Sequence, residues 1–241
     1  MTTLRVATFQ RRPLFDDITS TVERLLADLA WCDEQSVRLA IFPECYMQGY
    51  ASDRDTIMRR ALSLDSRVFA AILAQLARFQ TAIVLGLIEK RDTAFYNTAV
   101  VIRCGSVVGT YVKCHPNERG FDAGDTYPVF EVSDWPFGIN ICNDANYPNA
   151  ALNISRQGAR LLCYPLNNML SPATATQWRQ RSIENLQQRA VETGCWVVSS
   201  DVVGTNRDKM SYGCTCIVRP DGVVVQRAAE GVEEVVMFDL H

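Results

Sequence analysis

Three side chains that could act in covalent catalysis each follow a separate strand-like run of this sequence. The first is Glu44, which ends the apolar run VRLAIFPE (37–44), where Pro43 stops the strand. A carboxylate in such surroundings loses solvation, which raises its pKa toward the range useful to a general base. A glutamate that caps a helix or pairs with a cation would fit the same position, so both interpretations stay open for Glu44 taken alone.

The second candidate is Lys113, in the segment GTYVKCHPNERGF (109–121). Lys113 and His115 share one side of an ending strand, and Pro116 turns the chain away. A lysine ammonium aimed into a dry pocket would stabilise a developing oxyanion. Glu118, a few residues on, would orient that lysine or contact a substrate. A surface lysine at a strand end is the alternative.

The third candidate is Cys142, in the segment GINICNDANYPN (138–149), where an apolar run turns polar and meets a proline. On a sharp strand-to-helix turn its sulfur would be exposed. The backbone N–H groups of Asn143 and Asp144 would then point nearby, as thiolate-stabilising and oxyanion donors. Free cysteine is among the most often buried residue types, so a packing role is the alternative.

Histidines are scarce in this chain, which restricts the possible partners of Cys142. Of the two, His241 is the last residue, where disorder is common, so His115 is the one realistic partner for a cysteine–histidine dyad. Glu44 is therefore the more natural base. A hydrolase that uses His115 stays an alternative.

The nine cysteines fit reduced thiols, because their number is odd and no spacing suggests the disulfide framework of a small secreted domain. Cys214 and Cys216 form a C-x-C pair inside a strand-like run. No second ligand pair accompanies them, so we expect no zinc site there.

Composition excludes several classes of partner. The 241 residues are 48% hydrophobic and 21% charged, with a net charge of −3 and no basic stripe for a nucleic acid. No apolar run approaches the length of a membrane span, and the N-terminus lacks the core of a signal peptide. We expect a cytoplasmic protein that binds neither nucleic acid nor membrane and uses no metal or other cofactor.

Strand-like and helix-like runs alternate along the whole chain without a break in composition. Helices are expected at 14–33, 54–79, from about 148, and 173–193. Strands are expected at 4–10, 37–44, 82–90, 97–113 with a turn at Cys104–Gly105, 137–144, 159–166, 195–204, 214–228 with a turn at 220–222, and 232–240.

Two helices carry the clearest apolar stripes. The inward positions predicted for 54–79 and 173–193 are Ile57, Ala61, Leu64, Val68, Ile72 and Leu76, and Ile183, Leu186 and Ala190, respectively. Strands nearly continuous in Val, Ile and Leu are buried on both faces, so helices or a second sheet must cover them. The sequence therefore predicts a layered α/β protein with added hairpins.

With Glu44, Lys113 and Cys142 in this order at strand ends, the sequence resembles the nitrilase superfamily of carbon–nitrogen hydrolases. FPE (42–44) is similar to the family's glutamate motif, YVKCHPNE (111–118) to its lysine motif, and GINICNDANYP (138–148) to its cysteine motif. The resemblance covers nearly the whole chain. It implies a single domain over residues 1–241 with a four-layer αββα sandwich.

The resemblance also implies roles for these residues. Cys142 would be the nucleophile, Glu44 the general base and Lys113 the stabiliser of the tetrahedral intermediate, with Glu118 as the family's second glutamate. The expected activity is thiol-dependent hydrolysis of a non-peptide C–N bond in a small amide, carbamoyl compound or ω-amido acid. The alternatives are a true nitrilase and a catalytically silent binding protein on the same fold.

Two positions depart from the family pattern. The cysteine motif usually continues with a glutamate and, three residues later, an arginine, but this chain has Asn149 and Leu152 there. The loss of both residues fits removal of a buried ion pair as a unit. Removal of one partner alone would leave a buried charge unpaired and destabilise the protein by about 3–5 kcal/mol. We interpret the change as altered local packing or specificity.

Position in the chain gives a set of candidate substrate contacts and a candidate subunit contact. By analogy with the family, helix 173–193 is expected to join subunits of a homodimer or higher homo-oligomer. No convincing arginine clamp for a substrate carboxylate is evident, although Arg119, Arg179 and Arg207 are possible. The candidate substrate contacts are Tyr50, Phe121, Asn143, Tyr147, Asn167 and Asn168.

Overall fold

A computed structural model describes residues 3–241 of the chain. The helices are α1 (Ile18–Glu34), α2 (Arg54–Arg60), α3 (Arg67–Leu76), α4 (Pro148–Ser155) and α5 (Pro172–Thr193), and a 3-10 turn covers Cys142–Asn146. The strands are β1 (Leu4–Gln10), β2 (Leu39–Ile41), β3 (Ala82–Arg91), β4 (Ala94–Arg103), β5 (Ser106–Val112), β6 (Val129–Val132), β7 (Trp135–Ile139), β8 (Leu161–Pro165), β9 (Trp196–Ser200), β10 (Gly204–Asn206), β11 (Lys209–Ser211), β12 (Cys216–Val218), β13 (Val224–Arg227) and β14 (Glu234–Leu240).

Two six-stranded sheets form the centre of the fold. The first has the order β14-β1-β2-β3-β4-β5 and the second has the order β13-β12-β9-β8-β7-β6. Strands β1, β2 and β3 are parallel, and because β4 is antiparallel to both β3 and β5, strand β5 runs in their direction. In the second sheet, β7, β8 and β9 are parallel. The carboxyl ends of these strands bring their trailing loops to common edges.

The buried side chains form three core layers. Between the sheets, residues such as Ile41 and Val84 pack with Phe137 and Val198. Helices α1 and α3 cover the outer face of the first sheet, and α4 and α5 cover the outer face of the second. The arrangement is therefore helix, sheet, sheet, helix, as predicted, since strands buried on both faces need a covering layer on each side.

The expected helix at 54–79 is wrong as a single element. The chain leaves α2 and forms a bridge between Leu62 and Glu89 of β3, and α3 then starts from Ser66, whose side chain accepts a hydrogen bond from the Phe69 N–H. Val68 consequently points outward and is 52% exposed. An apolar stripe alone could not reveal the break, because Leu62 is buried by a strand rather than by a helix.

Most other elements lie where the sequence predicts them, with shifts at their ends. Cys104 and Gly105 both have positive φ and turn the β4–β5 hairpin, as expected for a two-residue turn. The strand predicted at 37–44 is shorter, and the one predicted at 137–144 ends at Ile139, because the chain bends there to form the loops described below. None of the helices in the described part of the chain combines the length and apolar character that a membrane crossing needs.

Candidate active site

The first sheet delivers Glu44 and Lys113 to the same edge. Glu44 follows β2 and Lys113 follows β5, and both strands run in the same direction. The Lys113 Nζ atom lies 2.7 Å from Glu44 Oε1, and both side chains are at most 1% exposed. Two residues separated by 69 positions thus form a buried ion pair, which the sequence could predict only as two independent strand ends.

Glu44 keeps one carboxylate oxygen without a partner. The Asn97 side-chain amide donates to Oε1 at 2.6 Å, the same atom that Lys113 contacts, while Oε2 is buried and accepts no hydrogen bond from residues 3–241. Burial raises the pKa of Glu44, and the nearby Lys113 charge opposes this shift only in part. The site therefore holds a carboxylate with raised basicity and a free acceptor atom.

Lys113 also faces a second carboxylate. Its Nζ lies 3.4 Å from Glu118 Oε1, which further accepts a short hydrogen bond from the Tyr50 hydroxyl. Burial works to lower the pKa of Lys113, but the negative charges of Glu44 and Glu118 outweigh it and the pKa is raised. The Lys113 side chain is consequently a fixed cation within the site.

Cys142 begins the 3-10 turn that follows β7, with a left-handed φ of 44°. Such a φ is uncommon outside glycine and is characteristic of tight functional turns. The Cys142 side chain is half-buried and lines a cavity of about 290 Å³. Burial raises the pKa of its thiol, as does the charge of Glu44, while the Lys113 charge and, less strongly, the Asn167 backbone N–H work in the opposite direction. The resting group is thus a thiol.

Asp144 holds this turn in place. Its carboxylate accepts hydrogen bonds from the Ile141 N–H, the His115 N–H and the Tyr111 hydroxyl, and it contacts the His115 ring at 2.9 Å. The Asp144 backbone N–H donates to Ile141 O. The expectation that this N–H would be an oxyanion donor is therefore wrong, because the turn itself uses it.

His115 is one of the residues that support this turn together with Asp144. Its ring contacts Asp144 through Nδ1 and stacks on Tyr147 with ring centres 3.7 Å apart. It is absent from the residues that line the Cys142 cavity, among those that the structure describes. Glu44 does not line this cavity either, but it contacts Lys113, which lines the cavity together with Cys142.

Four of the predicted substrate contacts line the cavity with Lys113, Glu118 and Cys142, namely Tyr50, Asn143, Asn167 and Asn168. The other two lie elsewhere. Phe121 packs with Ile57 and Ile88 in a small apolar cluster, and Tyr147 stacks outside on His115. Both follow a functional motif in sequence, but the chain turns their side chains away from the cavity.

Several wall residues were not predicted. They come from α5, the 3-10 turn and loops, and their types are mainly amide and apolar: Asn117, Ala145, Asn146, Leu166, Leu170, Trp178, Ser182, Asn185 and Leu186. The polar positions along α5 were a weak signal, since a solvated helix face has the same pattern. Their role as a wall depends on how α5 crosses the second sheet.

Helix α5 also braces the catalytic turn. Buried Arg189 donates from Nη1 to Ala145 O at 3.1 Å, and the Asn185 amide donates to Asn146 Oδ1 at 2.6 Å. By contrast, Asn149 and Leu152, the two departures from the family pattern, lie on α4 outside the cavity lining.

Cys214 and Cys216 are buried free thiols, and only Cys216 lies within a strand.

Comparison with known proteins identifies the family of this chain. A family model described as "Carbon-nitrogen hydrolase" matches residues 5–241. A nitrilase of Pyrococcus abyssi is 28% identical over 96% of this chain and 87% of its own length. An (R)-stereoselective amidase of Pseudomonas is 26% identical over 93% of this chain and 81% of its own length.

Solved structures share the architecture. Nit3 of Saccharomyces cerevisiae, a member of branch 10 of the nitrilase superfamily, superposes with a TM-score of 0.87 at 22% identity, over 99% of this chain and 90% of that one. The chain belongs to the carbon–nitrogen hydrolase family, within the nitrilase superfamily. It is therefore an enzyme of the carbon–nitrogen hydrolase class.

Proposed function

We propose that this enzyme hydrolyses the C–N bond of a small, non-peptide amide or carbamoyl compound through a thioester on Cys142. The observation that carries the proposal is the buried contact of Lys113 with Glu44, at 2.7 Å, beside the cavity that Lys113 and Cys142 line together. A nucleophile, a base and a cation are the groups that acyl transfer requires.

In the first half-reaction, the Cys142 sulfur attacks the amide carbon while Glu44 takes the thiol proton. The free Oε2 atom of Glu44 is the candidate acceptor, because Oε1 already receives two hydrogen bonds. The Lys113 ammonium stabilises the oxyanion of the tetrahedral intermediate. Glu44 then returns the proton to the nitrogen, ammonia or an amine leaves, and a thioester remains.

In the second half-reaction, the same carboxylate activates water, which attacks the thioester carbon. The C–S bond breaks, the acid product forms and the thiol regains its proton. The sum is R–CO–NH₂ + H₂O → R–COOH + NH₃, with no change of oxidation state. Glu118 fixes Lys113 and Tyr50 within this arrangement, since its Oε1 atom contacts both.

The raised pKa of the Cys142 thiol fits this order of events. A preformed thiolate would require a lowered pKa, whereas a buried thiol beside a carboxylate with raised pKa ionises as it attacks. A neutral resting thiol also avoids placing a third negative charge next to Glu44 and Glu118.

A panel of amides, carbamoyl compounds and nitriles assayed for ammonia release tests the proposal, with intact-mass detection of an acyl adduct. Cys142→Ala should lower turnover by at least about 10⁴-fold, because the nucleophile is lost. Cys104→Ala is the matched control, since Cys104 is an exposed cysteine of the β4–β5 turn.

Unchanged turnover in the Cys142→Ala variant would refute the mechanism. Hydrolysis of nitriles in preference to amides would assign a nitrilase. A folded wild-type protein that binds these compounds and forms neither ammonia nor an adduct would be a silent binding protein on the same fold.

A further inference from the structure

A second cavity adjoins the one that holds Cys142. It has a volume of about 260 Å³, and it shares Tyr50 and Asn167 with the first cavity as common walls. The Asn167 backbone N–H is directed at the Cys142 sulfur. The two cavities therefore meet at Tyr50 and Asn167, and the second of these residues contacts the nucleophile.

The charges around the second cavity are mainly positive, although the whole chain has a net charge of −3. Its lining includes Arg59, Arg60, Arg207 and Lys209 against two carboxylates. No ion pair within residues 3–241 involves Arg59, Arg207 or Lys209.

The two carboxylates of this cavity already have partners. Asp16 forms a two-pronged ion pair with Arg60, with both N–O distances at 2.6 Å. Asp53 accepts a hydrogen bond from the Thr56 N–H at the start of α2. Both pKa values are lowered, for Asp16 mainly by Arg60 and for Asp53 mainly by the hydrogen bonds of Thr56. The charge of Arg59 also lowers both pKa values to a smaller extent, so two carboxylates act against four cations and the lining keeps an excess of two positive charges.

The segments that carry these cations are tied to the catalytic loops. The β10–β11 hairpin, with Arg207 at its turn and Lys209 on β11, exchanges two backbone hydrogen bonds with Leu170 through Met210. Leu170 belongs to the loop that carries Asn167. On the opposite wall, Arg60 donates to the Tyr50 carbonyl at 2.9 Å. The backbone segments that carry these cations thus have a defined position relative to the loops around Cys142.

The cavity of Cys142 has no free cation for an anionic substrate. Its charged lining residues are Lys113 and Glu118, which contact each other, and its remaining polar walls are mostly asparagine amides. A carboxylate on the substrate would have to leave this cavity to find a counter-charge. The adjoining cavity supplies one.

We propose that the cavity formed by Arg59, Arg207 and Lys209 binds the carboxylate of an amide substrate whose amide carbon lies at Cys142. The substrate class is a linear monoamide of a dicarboxylic acid or a longer amide with an anionic end. Planar guanidinium groups match a carboxylate with paired hydrogen bonds, which favours this anion. The inference rests on the proposed amide hydrolysis and names the class of its substrate.

The test compares monoamides of linear dicarboxylic acids with two to six methylene groups against the neutral diamides of the same acids. Wild-type kcat/KM should favour the monoamide at the chain length that spans both cavities. Arg207→Gln/Lys209→Gln should lower this kcat/KM by about threefold to tenfold for each cation removed. Turnover of the diamide should stay within about twofold, which also reports that the variant is folded.

Arg38→Gln/Arg103→Gln is the matched control, because it removes two exposed cations outside both cavities. Binding to the Cys142→Ala variant, measured by calorimetry, gives a readout independent of turnover. Added salt should weaken monoamide binding and leave diamide binding unchanged.

The outcomes separate the two proposals. Diamide hydrolysis without a monoamide preference at any length, or a preference that survives Arg207→Gln/Lys209→Gln, overturns the anion site and leaves amide hydrolysis standing. If the enzyme hydrolyses no amide of the panel, the anion site and the proposed amide hydrolysis are both overturned. A preference that is lost in the double variant and kept in the control supports the anion site.

Discussion

At the scale of single residues, the site depends on one carboxylate that must be buried and still accept a proton. Glu44 is 1% exposed, and two donors occupy its Oε1 atom. Burial raises its pKa, which increases its strength as a base and narrows the pH range in which it is ionised.

Replacing Glu44 with Gln should lower kcat/KM for amide substrates by about 10² to 10⁴-fold, because the glutamine side chain cannot accept the thiol proton. In the wild type, kcat/KM should decline as the pH falls through the raised pKa of Glu44. This acid limb should lie above the ordinary glutamate value of about 4.3. A pH series of kcat/KM for both proteins measures the two effects.

Glu89→Gln is the control for the loss of a buried carboxylate. Glu89 is 2% exposed and lies in the same sheet, where it pairs with Arg91 and accepts a hydrogen bond from Thr98. This variant should keep the acid limb and the wild-type kcat. An acid limb that persists in Glu44→Gln would assign the base to another residue.

At the scale of elements, close backbone contact positions the base. A Cβ atom at Gly86 of β3 would lie 2.3 Å from Pro43 O, 2.7 Å from Cys45 N and 3.0 Å from Glu44 Cα. The absence of a side chain at residue 86 therefore lets β3 pack directly on the segment that carries Glu44. Backbone atoms cannot yield as a flexible side chain can.

Gly86→Ala should consequently displace Glu44 and lower kcat by about tenfold or more, since small misplacements of catalytic groups are costly. It should also destabilise the protein by about 1–3 kcal/mol through overpacking. Steady-state kinetics and urea unfolding measure the two effects. Gly109→Ala is the control, because the atoms nearest to its Cβ would belong to the Phe130 side chain and not to backbone. Equal kcat values for the two variants would contradict this role of Gly86.

At the scale of the whole molecule, α5 has two different faces. One face lines the Cys142 cavity and braces its turn through Arg189. The other face exposes Val191, which is 60% exposed and lies next to the turn that carries Val223, itself 46% exposed. This exposed apolar pair, with Val191 on α5 and Val223 at the adjacent turn, fits the subunit contact that the family resemblance predicts for helix 173–193.

Val191→Glu should shift the protein from dimer to monomer, because a charge would be buried in the contact. Val68→Glu is the matched control, since Val68 is 52% exposed on α3, at the other side of the sandwich. Light scattering after gel filtration measures both. A monomeric wild type, or a dimer that tolerates Val191→Glu, would exclude a contact through this helix.

Much of the fold could be predicted from the sequence because its signals are local. The nearly continuous runs of Val, Ile and Leu predict strands buried on both faces, and Cys104–Gly105 predicts a hairpin turn. The break at Leu62 could not be predicted in this way, since the residue is apolar in either structure. Its burial depends on β3, which lies more than twenty residues away.

The candidate site likewise has one part that local sequence signals identify and one part that depends on distant segments. The motifs around Glu44, Lys113 and Cys142 identify the candidate chemistry by residue type and order. The amide-rich wall and the neighbouring cations become visible only when α2, α5 and the β10–β11 hairpin meet around Tyr50 and Asn167. Strand and turn preferences act between neighbours in the chain, whereas the shape and charge of a cavity arise from the packing of distant segments.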